Sequence, residues 1–266
     1  MALPPAGWHD GREPVPLIIA WHLNDPPRSA AAMASALPLA EVAAWRVYLD
    51  LPMHGRRQAP GGLQEFMRLG YQDAVLKAFE PQVTQAAAEF PAVLAELRTR
   101  LPVTGGPIGV VGASAGALPA QLVIAGGAAP VSTAALISPV IQLAEVVAAN
   151  ERRFGVSYPW SDASRAVAAR LDFVARAGEI AARASLTYCG SGMSRNSPAL
   201  RNFSGRSCAA GSTCSFTRGV LSRLMRRRTL TARASPIRRL QPCMSHTVVA
   251  QSGGDDHAGE LGAGAG

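Results

Sequence analysis

Residues 108–124 read IGVVGASAGALPAQLVI, and this stretch decides the fold class. Ile108–Val111 is a short apolar run of the kind that forms a strand buried on both faces. Gly112–Gly116 follows without a spacer and predicts a tight turn. Ala115–Ile124 predicts a helix. Ser114 therefore sits between a strand and a helix, with a glycine two residues away on each side.

The alternation recurs on either side. Pro16–Trp21 is another continuous apolar run and predicts a strand. The loop His22–Arg28 is rich in turn residues. Ser29 is a natural N-cap for a helix over Ala30–Leu37. Ala44–Leu51 predicts a second strand, with a Pro/Gly-rich loop over Pro52–Gly62. One long helical region spans Leu63–Leu101, with Phe90, Val93, Leu94, Leu97 and Leu101 on one face. Thr133–Ile137 predicts a further strand. Leu143–Ala184 is helical and amphipathic, broken at Gly155–Trp160, and is expected to form a small cap. Strands alternating with helices through short links predict an α/β fold, a parallel sheet covered on both faces.

The serine turn carries the most specific chemistry. Gly112-Ala113-Ser114-Ala115-Gly116 fits G-x-S-x-G, and its strand-then-helix context is what gives the pattern weight. A nucleophile in such a turn is pushed out of the sheet. Side chains two before and two after it would collide, so glycine is needed at Gly112 and Gly116. The helix start offers the Ala115 amide and a positive dipole end to a developing oxyanion. A dinucleotide fingerprint is absent, because Gly109, Gly112 and Gly116 have the wrong spacing.

On GASAG after VV, on LIIAWHLNDPPRS and on the region from LISPVIQ to DFVARAGEIA, the chain resembles the α/β-hydrolase superfamily, near small esterase-like and prolyl-oligopeptidase-like bacterial hydrolases. The resemblance spans roughly residues 12–183. It implies a serine hydrolase acting on carboxylic esters, with Ser114 as nucleophile. It implies an oxyanion hole from the amides of Ala115 and Leu23, where His22-Leu23 replaces the family's usual His-Gly. His22 itself is expected to be a strand-end histidine bonded to its own loop. No cofactor or metal is expected, and the implied partner is a small ester-like molecule.

The family order requires an acid and then a histidine after the serine. Asp162 and Asp172 are available acids, but both fall in the expected cap helices, where solvation is the ordinary role. The histidines after Ser114 are His246 and His257. Neither has a strand-and-loop context, and Asp255 and Asp256 are too close to His257 to come from a separate strand end.

The chain changes character near residue 184. Residues 1–183 hold 15 basic and 15 acidic side chains, whereas residues 184–266 hold 11 arginines against 3 acids, so the whole net charge of +8 lies there. Cys189, Cys208, Cys214 and Cys243 all lie there too, at spacings that match no metal or compact disulfide pattern. The expected organisation is a hydrolase domain over 1–183, with its cap at 143–183, and a basic tail over 184–266. One expectation for the tail is disorder. A second is a change of reading frame near 184. Arginine outnumbers lysine 25 to 1, which points to a GC-rich gene. Shifted by two bases, Thr187-Tyr188 becomes Leu, Ile or Val, Tyr188-Cys189 becomes Leu, Ser191-Gly192 becomes Gly or Arg, and Gly192-Met193 becomes Asp if Gly192 is GGG, an apolar strand that ends in Gly-Asp. Leu224-Met225-Arg226 becomes His-Ala if Leu224 is CTC. The chain would then be incomplete at its C-terminal strands and would lack its own acid and histidine.

Two other classes compete. Arg226–Arg228 and Arg238-Arg239 suit a polyanion, although Phe216 is the aromatic nearest them and base stacking has little support. A hydrolase fold without catalysis is the other. The N-terminus shows no basic segment followed by an apolar one, so the cytoplasm is the expected location. No run of about 18 apolar residues suggests a membrane span.

Overall fold

The computed structural model describes residues 1–9 and 13–189 and, as backbone, Arg206–Cys208. Its strands are β1 (Ala2–Leu3), β2 (Leu17–Trp21), β3 (Trp45–Leu49), β4 (Ile108–Ala113), β5 (Val131–Ile137), β6 (Ser185–Cys189) and β7 (Arg206–Cys208). They form one sheet in the order β1-β3-β2-β4-β5-β6-β7. β1 runs antiparallel to β3, and every other pair is parallel.

The continuous apolar runs have a physical reason. All five residues of β2 are buried. Leu17, Ile19 and Trp21 point into one core and Ile18 and Ala20 into the other, as the two-residue period of a strand requires. Helices cover both faces. Helix α1 (Ala30–Ala36) lies over the second core. Ser29 caps it by accepting from the Ala32 amide, as the sequence predicts. Helices α3 (Glu80–Arg100) and α4 (Ala117–Gly126) lie over the first. Eight residues of α4 are buried, all apolar but Gln121, so the helix sits inside the molecule. Each large aliphatic side chain buried here contributes about 1.5–3 kcal/mol.

The long helix expected over Leu63–Leu101 is three pieces. Helix α2 (Gly62–Gln72) ends at Asp73, a π-helical stretch runs over Ala74–Phe79, and α3 follows. Asp73 is extended, and its carboxylate accepts from the Leu76 amide at 2.8 Å, so one polar side chain ends one helix and caps the next. The face read from the sequence is real in α3, where Phe90 and Leu94 are buried.

The β5–β6 crossover holds α5 (Leu143–Phe154), α6 (Asp162–Arg170) and α7 (Ala177–Ala181). The break after α5 is a left-handed Gly155. Helix α7 packs on α4, and α6 on the π-helical stretch. The Tyr158 hydroxyl donates to Asp73 at 2.5 Å. Burial first, and that bond second, push its pKa up to about 12.

Beyond residue 183 the sheet continues. The residues of β6 as written pair in register with β5, from Thr133 against Ser185 to Ile137 against Cys189. The strand anticipated in the shifted codons around Tyr188 is therefore already formed by the written residues. Among the described residues no helix is long and apolar enough to cross a membrane.

Candidate active site

The elbow is built by contact. β4 runs to Ala113, a single 3-10 turn spans Ser114–Gly116, and α4 starts at Ala117. Ser114 takes φ of 47°, the left-handed region that a residue with a Cβ seldom occupies. Both flanking glycines are obligatory. A Cβ on Gly112 would lie 2.6 Å from the Ala117 Cα and 2.7 Å from the Gly116 carbonyl oxygen. A Cβ on Gly116 would run into the His22 carbonyl oxygen and lie 2.8 Å from that of Trp21. The collisions expected from the sequence are thus with backbone, which cannot yield.

The same contact sets the neighbours of the turn. Trp21 pairs with Gly112 across β2 and β4, so the chain leaving β2 passes directly over the elbow. Leu23 lies in that departing loop and is half-buried, while Ala115 is buried at the start of the turn. On the opposite side, the Val140 amide donates to the Ser114 carbonyl at 3.3 Å. Gln121, fully buried on α4, donates from Nε2 to the Val140 carbonyl at 2.8 Å and to the Ala117 carbonyl at 2.9 Å. A buried amide side chain thus locks the loop after β5 onto the elbow helix.

His22 is fully buried. The Leu51 amide donates to its Nε2 at 3.0 Å, so Nε2 is an acceptor and Nδ1 carries the proton. Nδ1 donates to the Leu23 carbonyl at 2.6 Å. Burial lowers its pKa, against the Leu23 bond and the Asp50 carboxylate 3.9 Å away, and it is neutral at pH 7. Both ring nitrogens are engaged in holding the loop.

His54 was not singled out by sequence. It is 2% exposed, and its ring stands edge-on to Phe66 at 4.5 Å and lies 5.7 Å from His22. Burial lowers its pKa to about 4. The buried Gln82 and Gln121 leave no mark in the sequence for the same reason: a lone polar residue in a helix gives no pattern that marks it as buried.

The other sequence candidates fall elsewhere. Asp162 opens α6 beside its capping Ser161 and is exposed. Asp172 is engaged through Oδ1 with the Val174 and Ala175 amides, each at 3.0 Å, and through Oδ2 with Gln142 at 3.1 Å. His246, His257, Asp255 and Asp256 lie outside the described residues. Among the described residues no hydrogen bond joins the Ser114 hydroxyl to a histidine or carboxylate. Nor does any His/Cys/Asp/Glu group among them suit a metal ion.

No family profile matches this sequence, and no curated protein matches it. Solved structures do. Acetyl xylan esterase 1 from Thermoanaerobacterium sp. JW/SL YS485 superposes with a TM-score of 0.54 at 15% identity, over 84% of this chain and 78% of the other. An acetyl xylan esterase from Paenibacillus sp. R4 gives 0.50 at 15% identity, over 78% and 70%. This likeness, with the mostly parallel sheet flanked by helices, shows that the chain has the α/β-hydrolase fold.

Proposed function

We propose that the chain is a serine hydrolase of esterase type with Ser114 as its nucleophile. The observation that carries this is the turn itself. A serine held at φ of 47° between two glycines that admit no side chain is strain with no use in packing. Such strain is retained where a side chain must be presented at the carboxyl edge of the sheet.

In the proposed reaction the Ser114 Oγ adds to an ester carbonyl carbon. The carbonyl π electrons move onto its oxygen, which faces the Ala115 and Leu23 amides. Collapse expels the alcohol and leaves an acyl-serine, which water hydrolyses to the acid. The Ala115 amide adjoins the N-terminus of the ten-residue α4, whose dipole favours the developing charge. Both structural relatives are named for acetyl esters, which favours small carboxylic esters as substrates here.

The proton leaving Ser114 needs a base, and among the described residues none is bonded to it. We propose that the acid and histidine are encoded in a neighbouring reading frame that begins after Cys189. The written residues already make β6, so the shifted Gly-Asp across Ser191-Gly192-Met193 would follow directly on that strand's carboxyl end. The chain as written then turns over esters weakly or not at all.

The missing base also favours a second reading, a hydrolase fold without catalysis. A fluorophosphonate probe separates the two. Applied to the frame-restored protein, labelling abolished by Ser114→Ala supports the nucleophile, and absence of labelling there supports the non-catalytic fold.

A further inference from the structure

Gln82 is a polar residue in the first turns of a helix, and it is fully buried. Burying an amide side chain costs free energy unless its hydrogen bonds are made. Its Nε2 makes its bonds to two loops far apart in sequence, while its Oε1 is buried without a partner among the described residues. It donates to the Asn24 Oδ1 at 3.0 Å, on the loop leaving β2. It reaches the Pro52 carbonyl at 3.3 Å and the His54 Nδ1 at 3.0 Å, on the loop leaving β3. Asn24 directly follows Leu23, whose carbonyl is held by His22, and His22 in turn accepts from Leu51 on the β3 side. The two loops are therefore stitched together at two levels: by His22 at the strand ends and by Gln82 one layer out.

We propose that Gln82 is a positioning residue for the Leu23 amide, acting through Asn24. This rests on the esterase reading of Ser114. The geometry accounts for a buried glutamine at this place, since the groups its amide meets are Asn24, the Pro52 carbonyl and His54. Without it, Asn24 is tied to neither α3 nor the β3 loop, and the Leu23 peptide is held only from the His22 side. An oxyanion donor acts only when it is in place before charge develops, so a small displacement weakens the reaction step without weakening substrate contact.

Two variants test this in the full chain. Gln82→Leu keeps the bulk and removes the donor. Gln82→Glu keeps the length and can still accept from Asn24 if that amide turns over. Two readouts are taken. One is the rate of Ser114 labelling by a fluorophosphonate, separated into inactivation constant and binding constant. The other is amide hydrogen exchange in the peptide spanning residues 22–26. Gln82→Leu is expected to lower the inactivation constant about tenfold, below the 10²–10³ cost of deleting a donor outright. The binding constant stays within about twofold, and exchange rises at residues 22–26 but not in β4. Gln82→Glu is expected to recover part of both. An unchanged inactivation constant with unchanged exchange overturns the proposal, as does a loss shared equally by the binding constant. If the unaltered chain is not labelled at Ser114, as a chain without its base would not be, the exchange result alone decides whether Gln82 positions the loop, and the esterase reading is judged on the frame-restored protein.

Discussion

Ser114 holds its left-handed φ because β4 and α4 are both anchored in the core and leave it no alternative. Replacing it by glycine removes the Cβ conflict, which is worth about 1 kcal/mol. Ser114→Gly is therefore expected to raise the melting temperature by about 2–4 °C while abolishing labelling. Ser114→Ala should abolish labelling with no such gain, and calorimetry of the two variants checks the difference. The glycines give a sharper contrast. Gly112→Ala drives a Cβ into backbone 2.6 Å away and is expected to cost about 2–3 kcal/mol or to prevent folding. Gly126→Ala, at the far end of α4 with nothing within 4 Å, is expected to be neutral or stabilising by up to about 1 kcal/mol. Equal stability losses in urea unfolding would show that the elbow is not sterically constrained. The steric need for Gly112 and Gly116 was legible at residue scale, because a glycine at a fixed offset from a serine carries a steric meaning in the sequence alone.

At the scale of elements, the loops after β2 and β3 are held by two buried neutral histidines. His54 titrates near 4 in the fold and near 6.5 when unfolded, and His22 is shifted the same way. The unfolded chain therefore binds more protons between those values. The stability is fully present above about pH 6.5 and is lost as pH falls toward 4, by up to roughly 3 kcal/mol for His54. Urea unfolding at stepped pH should show this slope, and His54→Leu should flatten it. Parallel curves for the two proteins would contradict the assignment. These histidines mark where the sequence pattern runs out. Apolar runs marked β2, β3, β4 and β5, because burial on both faces leaves a continuous pattern. Ser29 was legible because a cap has a fixed place. The break at Asp73 was not, since one acid inside a periodic run has the pattern of an exposed position, whereas its carboxylate caps Leu76. β1 was too short, at two residues, to leave any pattern.

At the scale of the whole molecule, the sheet is continuous through β6, and the backbone of β7 is paired beside it. Composition placed a change near residue 184, yet Ser185–Cys189 still alternates as a strand requires, with Leu186 and Tyr188 buried. A shift in charge and cysteine content is a property of a long stretch and cannot fix a boundary to a few residues, whereas strand pairing can. The partners of Ser114 were not legible because, on the present account, their codons are read in another frame. Restoring the frame after Cys189 should add an acid directly beyond β6 and a histidine at the shifted position of Met225. The coding sequence around residues 189–193 and 224–226 must then read Gly-Asp and His-Ala in the shifted frame. The most direct test is hydrolysis of p-nitrophenyl acetate by the 266-residue chain and by its frame-restored counterpart, each with and without Ser114→Ala. Turnover is expected in the restored protein and is abolished there by Ser114→Ala, and it is expected to be about ten-thousandfold less or lower, on the order of what removing triad members costs, in the chain as written. Equal Ser114-dependent turnover in both, or none in the restored protein, would contradict the account.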